Sequence, residues 1–209
     1  PMRLDDDAEK QVEFIRALGI AVDTRYVYDA SRSHVVGVDG DASSQRLNRA
    51  WGMSSSSEVS VQVSFGNTAA NGLGFALPAG SARVYAYRDG RLDWVAKPEF
   101  PATEVDDPIQ VSARRAPGLR VTRSQTGFEY QSASGGKTSV VESFDLHFES
   151  DRDETVVVQV IEALYRGNQW AITESSDPYL QRDTGEIEFR IQLKPGVSQH
   201  LSYTVRYAG

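Results

Sequence analysis

Glu186-Ile187-Glu188-Phe189-Arg190-Ile191-Gln192-Leu193 alternates charged or amide side chains with large apolar ones without a break. A period of two is the pattern of an extended strand with one face on a core and the other in water. The same alternation recurs at Val59, Val61, Val63 and Phe65, at Phe144, Leu146 and Phe148, and at Leu201, Tyr203, Val205 and Tyr207. Val156-Val157-Val158-Gln159-Val160-Ile161 is apolar on both parities and β-branched, which predicts a central strand covered on both faces.

Turn-forming residues separate these runs. Ser134-Gly135-Gly136-Lys137, Asp183-Thr184-Gly185 and Lys194-Pro195-Gly196 each precede a strand. Short strands with regular breaks point to an all-β sandwich. Residues 31–57 are poor in apolar side chains and end in Ser54-Ser55-Ser56-Ser57, so they read as a polar loop. A change of texture at Ala113 to Gly118 separates the first strands from a final set of about six, near the seven of an immunoglobulin-like domain. The expectation is therefore an N-terminal β-rich subdomain over 1–115 and an immunoglobulin-like sandwich over 116–209. The window Ala8 to Leu18 fits either a helix or a short strand, and its periodicity does not separate the two.

Composition narrows the function. Hydrophobic residues make up 40% and charged residues 24% of the 209, the balance of an ordinary folded protein. A net charge of −7 with no basic cluster disfavours nucleic acid and anionic membrane as partners. The absence of cysteine excludes disulfides, thiolate nucleophiles and thiolate zinc sites. No run approaches the roughly 18 apolar residues of a membrane-spanning helix, so no membrane insertion is expected.

Catalytic motifs are wanting. Gly136-Lys137-Thr138 lacks the first glycine and the following helix of a phosphate loop, and no Gly-x-Ser-x-Gly elbow occurs. His34, His147 and His200 are far apart in sequence, and Asp39-Gly40-Asp41 and Asp151-Arg152-Asp153-Glu154 fall short of a calcium loop. We therefore expect no catalytic residue, no metal and no cofactor. Glu186 and Glu188 share the outward face of one strand, whereas Glu142 and Glu162 sit at apolar positions of theirs, which suggests burial beside an arginine or the exit of the strand from the core. A hydrolase acting on envelope polysaccharide or peptide would need two of Glu142, Glu162, Glu174, Asp177 and the histidines to converge in a pocket. Tyr85, Tyr87 and Trp94 flank a hairpin-like Arg88-Asp89-Gly90-Arg91 and are the candidate ligand-binding residues; aromatic side chains in such a row more commonly form the inner face of a sheet.

Phe65-Gly66-Asn67-Thr68-Ala69-Ala70-Asn71-Gly72-Leu73-Gly74-Phe75-Ala76-Leu77-Pro78-Ala79-Gly80-Ser81-Ala82-Arg83-Val84-Tyr85 resembles the signature of a bacterial family labelled mucoidy inhibitor A-like, whose C-terminal half is a domain of unknown function. Arg25-Tyr26-Val27-Tyr28-Asp29, Trp170-Ala171-Ile172-Thr173-Glu174-Ser175-Ser176-Asp177-Pro178-Tyr179 and Tyr203-Thr204-Val205-Arg206-Tyr207 extend the resemblance in the same order. The resemblance implies a strand over Glu9 to Ile15, a periplasmic or extracellular place in the cell envelope, and an additional N-terminal β domain as a neighbour. It implies a non-catalytic interaction or scaffold module whose partner is that domain, another protein or a glycan.

Overall fold

The computed structural model describes residues 15–30, 47–51, 57–88, 90–113, 115–132 and 138–208. In chain order the first strands are β1 (Asp23–Asp29), β2 (Ser60–Gly66), β3 (Gly80–Ser81), β4 (Val84–Arg88), β5 (Arg91–Ala96), β6 (Glu99–Phe100) and β7 (Pro108–Ala113). They are followed by β8 (Leu119–Ser132), β9 (Thr138–Ser150), β10 (Val156–Ala163), β11 (Trp170–Ser175), β12 (Tyr179–Gln181), β13 (Glu186–Leu193) and β14 (Gln199–Ala208). Among the described residues there is no α-helix. The protein is all-β and sandwich-like, as the alternation predicts.

One sheet has six strands in the order β12-β13-β10-β1-β2-β7, and the other four in the order β11-β14-β9-β8. Their inner faces close over one core. Phe144, Leu146 and Phe148 of β9, Ile187, Phe189 and Ile191 of β13, and Leu201, Tyr203, Val205 and Tyr207 of β14 are all buried, each at the apolar parity of its run. Phe189 of the larger sheet lies 5.6 Å from Tyr203, which in turn lies 5.3 Å from Phe144, so aromatic rings interlock across the layers. Strands from either side of residue 115 share the six-stranded sheet, and Tyr28, Val59 and Ala116 belong to the same core as the C-terminal strands.

β10 lies between β13, antiparallel, and β1, parallel, with Tyr26 opposite Val158 and Tyr28 opposite Val160. Its central place agrees with its composition, but its coverage on both faces does not. Val156, Val158 and Val160 are buried, whereas Val157 is 49% exposed. The outer face beside it holds Arg25, Gln159 and Arg190 around an open groove, and no layer covers them among the described residues.

Residues 67–107 form an arm between β2 and β7. The two strands pair from Val61 with Ala113 to Gly66 with Pro108, and the arm continues that ladder outward. Leu77 bridges Thr103, Gly80 pairs with Phe100, Val84 with Ala96, and Arg88 with Arg91. Gly72 has a positive φ of 70°, which closes a short 3-10 turn over Ala69–Asn71. Gly80 runs in an extended strand.

Asn67, fully buried, holds the base of the arm. Its Nδ2 donates to the carbonyls of Phe75 and Glu104, both at 2.8 Å, and its Oδ1 accepts from the Gly74 amide at 3.1 Å. Asn67→Ala strips partners from three backbone groups and is expected to cost about 2 kcal/mol. A lower urea midpoint at unchanged m, with faster amide exchange at Gly74, would show it; an unchanged midpoint would mean that the clamp adds nothing.

The strand expected over Glu9 to Ile15 lies, apart from Ile15, outside the described residues, as do Ser134-Gly135-Gly136-Lys137, His34, Asp39-Gly40-Asp41 and most of the 31–57 loop. Ile15 to Leu18 are not in a strand.

Candidate functional site

The outer strands of the arm, β4 and β5, pair only with each other among the described residues. Tyr85 stands opposite Trp94 and Tyr87 opposite Leu92. Directly opposed side chains in an antiparallel pair lie on one face, and successive odd or even positions return to it. The four therefore make one apolar stripe, and the turn that closes it uses Gly90 at a φ of 76°. Tyr85 is 48% exposed, Tyr87 73%, Leu92 68% and Trp94 64%. These aromatic residues form an outer surface, not the inner face of a sheet as such rows more commonly do, because β4 and β5 leave the sandwich and no second layer packs against them among the described residues. Leu92 was not singled out from sequence. Its signal was the register itself, since counting back from Arg88 opposite Arg91 places Leu92 beside Tyr87.

The carboxylates that violate the apolar pattern lie inside the sandwich. Glu162 of β10 and Arg123 of β8 face each other across the layers with both side chains fully buried, and Arg123 Nε donates to the two carboxylate oxygens at 3.0 and 3.1 Å. The Tyr203 hydroxyl donates to Glu162 Oε2 at 2.8 Å, and the guanidinium lies 3.9 Å from the centre of the Phe144 ring. Glu142 of β9 is bound by Arg166 Nη2 at 2.7 Å, by Gln125 Nε2 at 2.8 Å and by the Tyr165 hydroxyl at 3.0 Å. Arg166 also donates to the carbonyls of Asn48 and Trp51, so the 47–51 segment is fastened over it. Both carboxylates are thus buried beside an arginine, the first of the two outcomes their positions allowed.

Burial, and after it the negative charge of Glu142, pushes the Tyr165 phenol up. Burial and then Glu162 push Tyr203 well up, and burial and then Glu142 do the same to Tyr207. All three phenols stay protonated, and those of Tyr165 and Tyr203 donate to the carboxylates. Glu188 behaves in the opposite way. Burial works to raise it, but hydrogen bonds from Gln159 and Arg190 and the charges of Arg190 and Arg182 hold it below the usual carboxylate range.

The other candidate acids and bases do not join this network. Glu174 is exposed on β11, and Asp177 accepts a bond from Ser176 Oγ in the turn that follows. His147 and His200 stack at 4.5 Å on the outer face of the smaller sheet, where His200 Nδ1 lies 3.1 Å from Asp145 Oδ1. Glu142 and Glu162 have zero exposure, so neither meets a substrate or the water that a glycosidase pair must admit. Among the described residues no group of three or more acidic or imidazole side chains is placed to hold a metal ion, and no helix is long and apolar enough to cross a membrane.

Fold and geometry together define a β-sandwich that seals paired ionic groups inside and carries an aromatic stripe outside on an arm. The chain matches no protein-family model, no curated protein and no solved structure.

Proposed function

We propose that this chain is a non-catalytic interaction module of a bacterial envelope protein, and that the arm presents Tyr85, Tyr87, Leu92 and Trp94 to an apolar patch on a protein partner. The observation that carries the reading is the exposure of all four side chains in one contiguous stripe. Such patches mark contact surfaces, and Tyr and Trp dominate binding energy where they are buried by a partner. Leu92 favours a protein over a sugar, because a branched aliphatic side chain offers a carbohydrate neither a stacking face nor a hydrogen bond. The envelope location rests on the resemblance to the mucoidy inhibitor A-like family. An immunoglobulin-like C-terminal unit is supported by the division of β8 to β14 into four strands in one sheet and three in the other.

Trp94→Ser with Tyr87→Ser is expected to leave stability within about 0.5 kcal/mol, since both side chains are exposed. The double variant is expected to weaken partner binding by at least about thirtyfold. Proteins retained from envelope extract by the immobilised wild-type chain would be compared with those retained by the variant. Identical retention, or hydrolysis of envelope polysaccharide by the purified chain, would overturn the reading.

A further inference from the structure

We infer that the lateral mouth of the sandwich, between β11 and β12, is a binding site for a neutral sugar ring. β11 is an edge strand of the four-stranded sheet and β12 an edge strand of the six-stranded one, so the two layers part between them. The cleft there holds about 330 Å³ and is lined by Asn168, Trp170, Ile172, Tyr179, Gln181 and Thr184, with Ala171 at its rim. That volume lies at the small end of ligand pockets, suited to one or two rings.

The lining comes from positions that face inward in each layer. Trp170 and Ile172 stand opposite Tyr207 and Val205 of β14, and Tyr179 and Gln181 opposite Phe189 and Ile187 of β13. All four of those partners are buried. Elsewhere in the sandwich such positions are filled from the opposing sheet; here the core runs out before the layers end, and inward-facing side chains meet solvent. Trp170 is held in place, because its Nε1 donates to the Thr184 carbonyl at 2.7 Å, and Tyr179 rests against Phe189 with ring centres 6.1 Å apart. The site is therefore built before any ligand arrives, which limits the ordering cost of binding.

The chemistry of the lining selects the ligand class. Two aromatic rings offer faces for the C–H side of a pyranose, and the carboxamides of Asn168 and Gln181 offer both donors and acceptors for hydroxyls. None of the lining side chains carries a charge at neutral pH. A carboxylate or phosphate would be desolvated there without a counter-charge, and a hydrocarbon would strip water from the Asn168 carboxamide and from the Gln181 carboxamide oxygen, whose Nε2 already donates to the Asp183 carbonyl at 2.9 Å, without replacing it. An extended peptide would find a β12 edge only three residues long. A ring that is apolar on its faces and hydroxylated around its rim meets both the aromatic faces of Trp170 and Tyr179 and the carboxamides.

The test is a titration of the isotope-labelled chain with the methyl β-glycosides of glucose, galactose, mannose and N-acetylglucosamine, and with glucuronate as a charged control. At least one neutral glycoside is expected to move the Trp170 Nε1–H resonance and amides of residues 168–184, with a Kd near 1 mM, as few contacts can support. Gln181→Ala and Asn168→Ala are exposed changes that leave the core intact, and each is expected to weaken binding at least tenfold. Trp94→Ser is expected to leave it unchanged, which separates this site from the arm. Absence of shifts with all four glycosides, shifts confined to residues outside 168–184, glucuronate binding as tightly as the neutral sugars, or binding unaffected by both amide variants would overturn the inference.

Discussion

Arg123→Met is expected to lower stability by about 3–5 kcal/mol. The substitution keeps most of the volume beneath the Phe144 ring but removes the cation that holds Glu162. The carboxylate then remains in the dry interior with the Tyr203 hydroxyl as its hydrogen-bond donor. A lone buried charge costs several kcal/mol, and one neutral phenol does not compensate it. The companion variant Arg123→Met with Glu162→Met removes both charges together and should regain most of the loss, because burying the intact pair already costs desolvation energy that its attraction only partly repays. Urea unfolding of the three proteins reads out the result. If the single variant matches the wild type, the pair does not hold the layers; if the double variant is no better than the single one, the loss comes from packing and not from charge.

The two ionic pairs also connect the layers in a way that the apolar core alone does not. Glu162 belongs to the six-stranded sheet, and both of its partners, Arg123 and Tyr203, belong to the four-stranded one. Glu142 belongs to the four-stranded sheet and is bound by Arg166, in the connection that follows β10. Apolar side chains tolerate sliding between layers, since dispersion and burial are non-directional. A carboxylate that must meet a guanidinium within about 3 Å does not. The pairs thereby select one register of sheet on sheet, at some cost in desolvation.

Parity made much of this visible before any coordinates. In β9, β13 and β14 every apolar residue of the alternating runs is buried, because each strand has a single core face. Glu142 and Glu162 stood out as breaks in that parity. Their partners did not. Arg123 occupies a core-facing position after Leu119 and Val121, but a polar residue there reads as the end of an apolar run. A bulge between Gln125 and Gly127 then transfers the inward positions of β8 from odd to even numbers, which puts Phe128 opposite Glu142. Arg166 lies in a connection where no period applies. Val157 misled for a different reason: β-branched character records strand propensity, and whether a second layer covers that face depends on segments distant in sequence. The arm was legible as hairpin and turn chemistry, but its exposure was not, since the same alternation serves a strand in a sandwich and a strand in a free ribbon.

Stability should fall steeply on the alkaline side, with a slope that approaches about 4 kcal/mol per pH unit once the pH passes about 11. The unfolded chain releases the phenol protons of Tyr165, Tyr203 and Tyr207 in that range. The folded chain keeps them, because burial and the nearby carboxylates of Glu142 and Glu162 push all three phenols upward. The unfolded state therefore binds fewer protons than the folded one, and the derivative of unfolding free energy with pH is negative. The stabilisation is complete below the unfolded phenol range and is lost as the pH climbs toward the folded values. Each retained proton contributes a slope of about 1.4 kcal/mol per unit, and three together set the figure above. Tyr207→Phe isolates one of them. Its hydroxyl has no hydrogen-bond partner among the described residues, so the substitution should change neutral-pH stability little while flattening the alkaline slope by about a third. Urea midpoints from pH 8.5 to 11.5 for wild type and variant decide the matter. A wild-type midpoint that stays level through this range, or a variant slope equal to that of the wild type, would mean that the three phenols release their protons together with those of the unfolded chain.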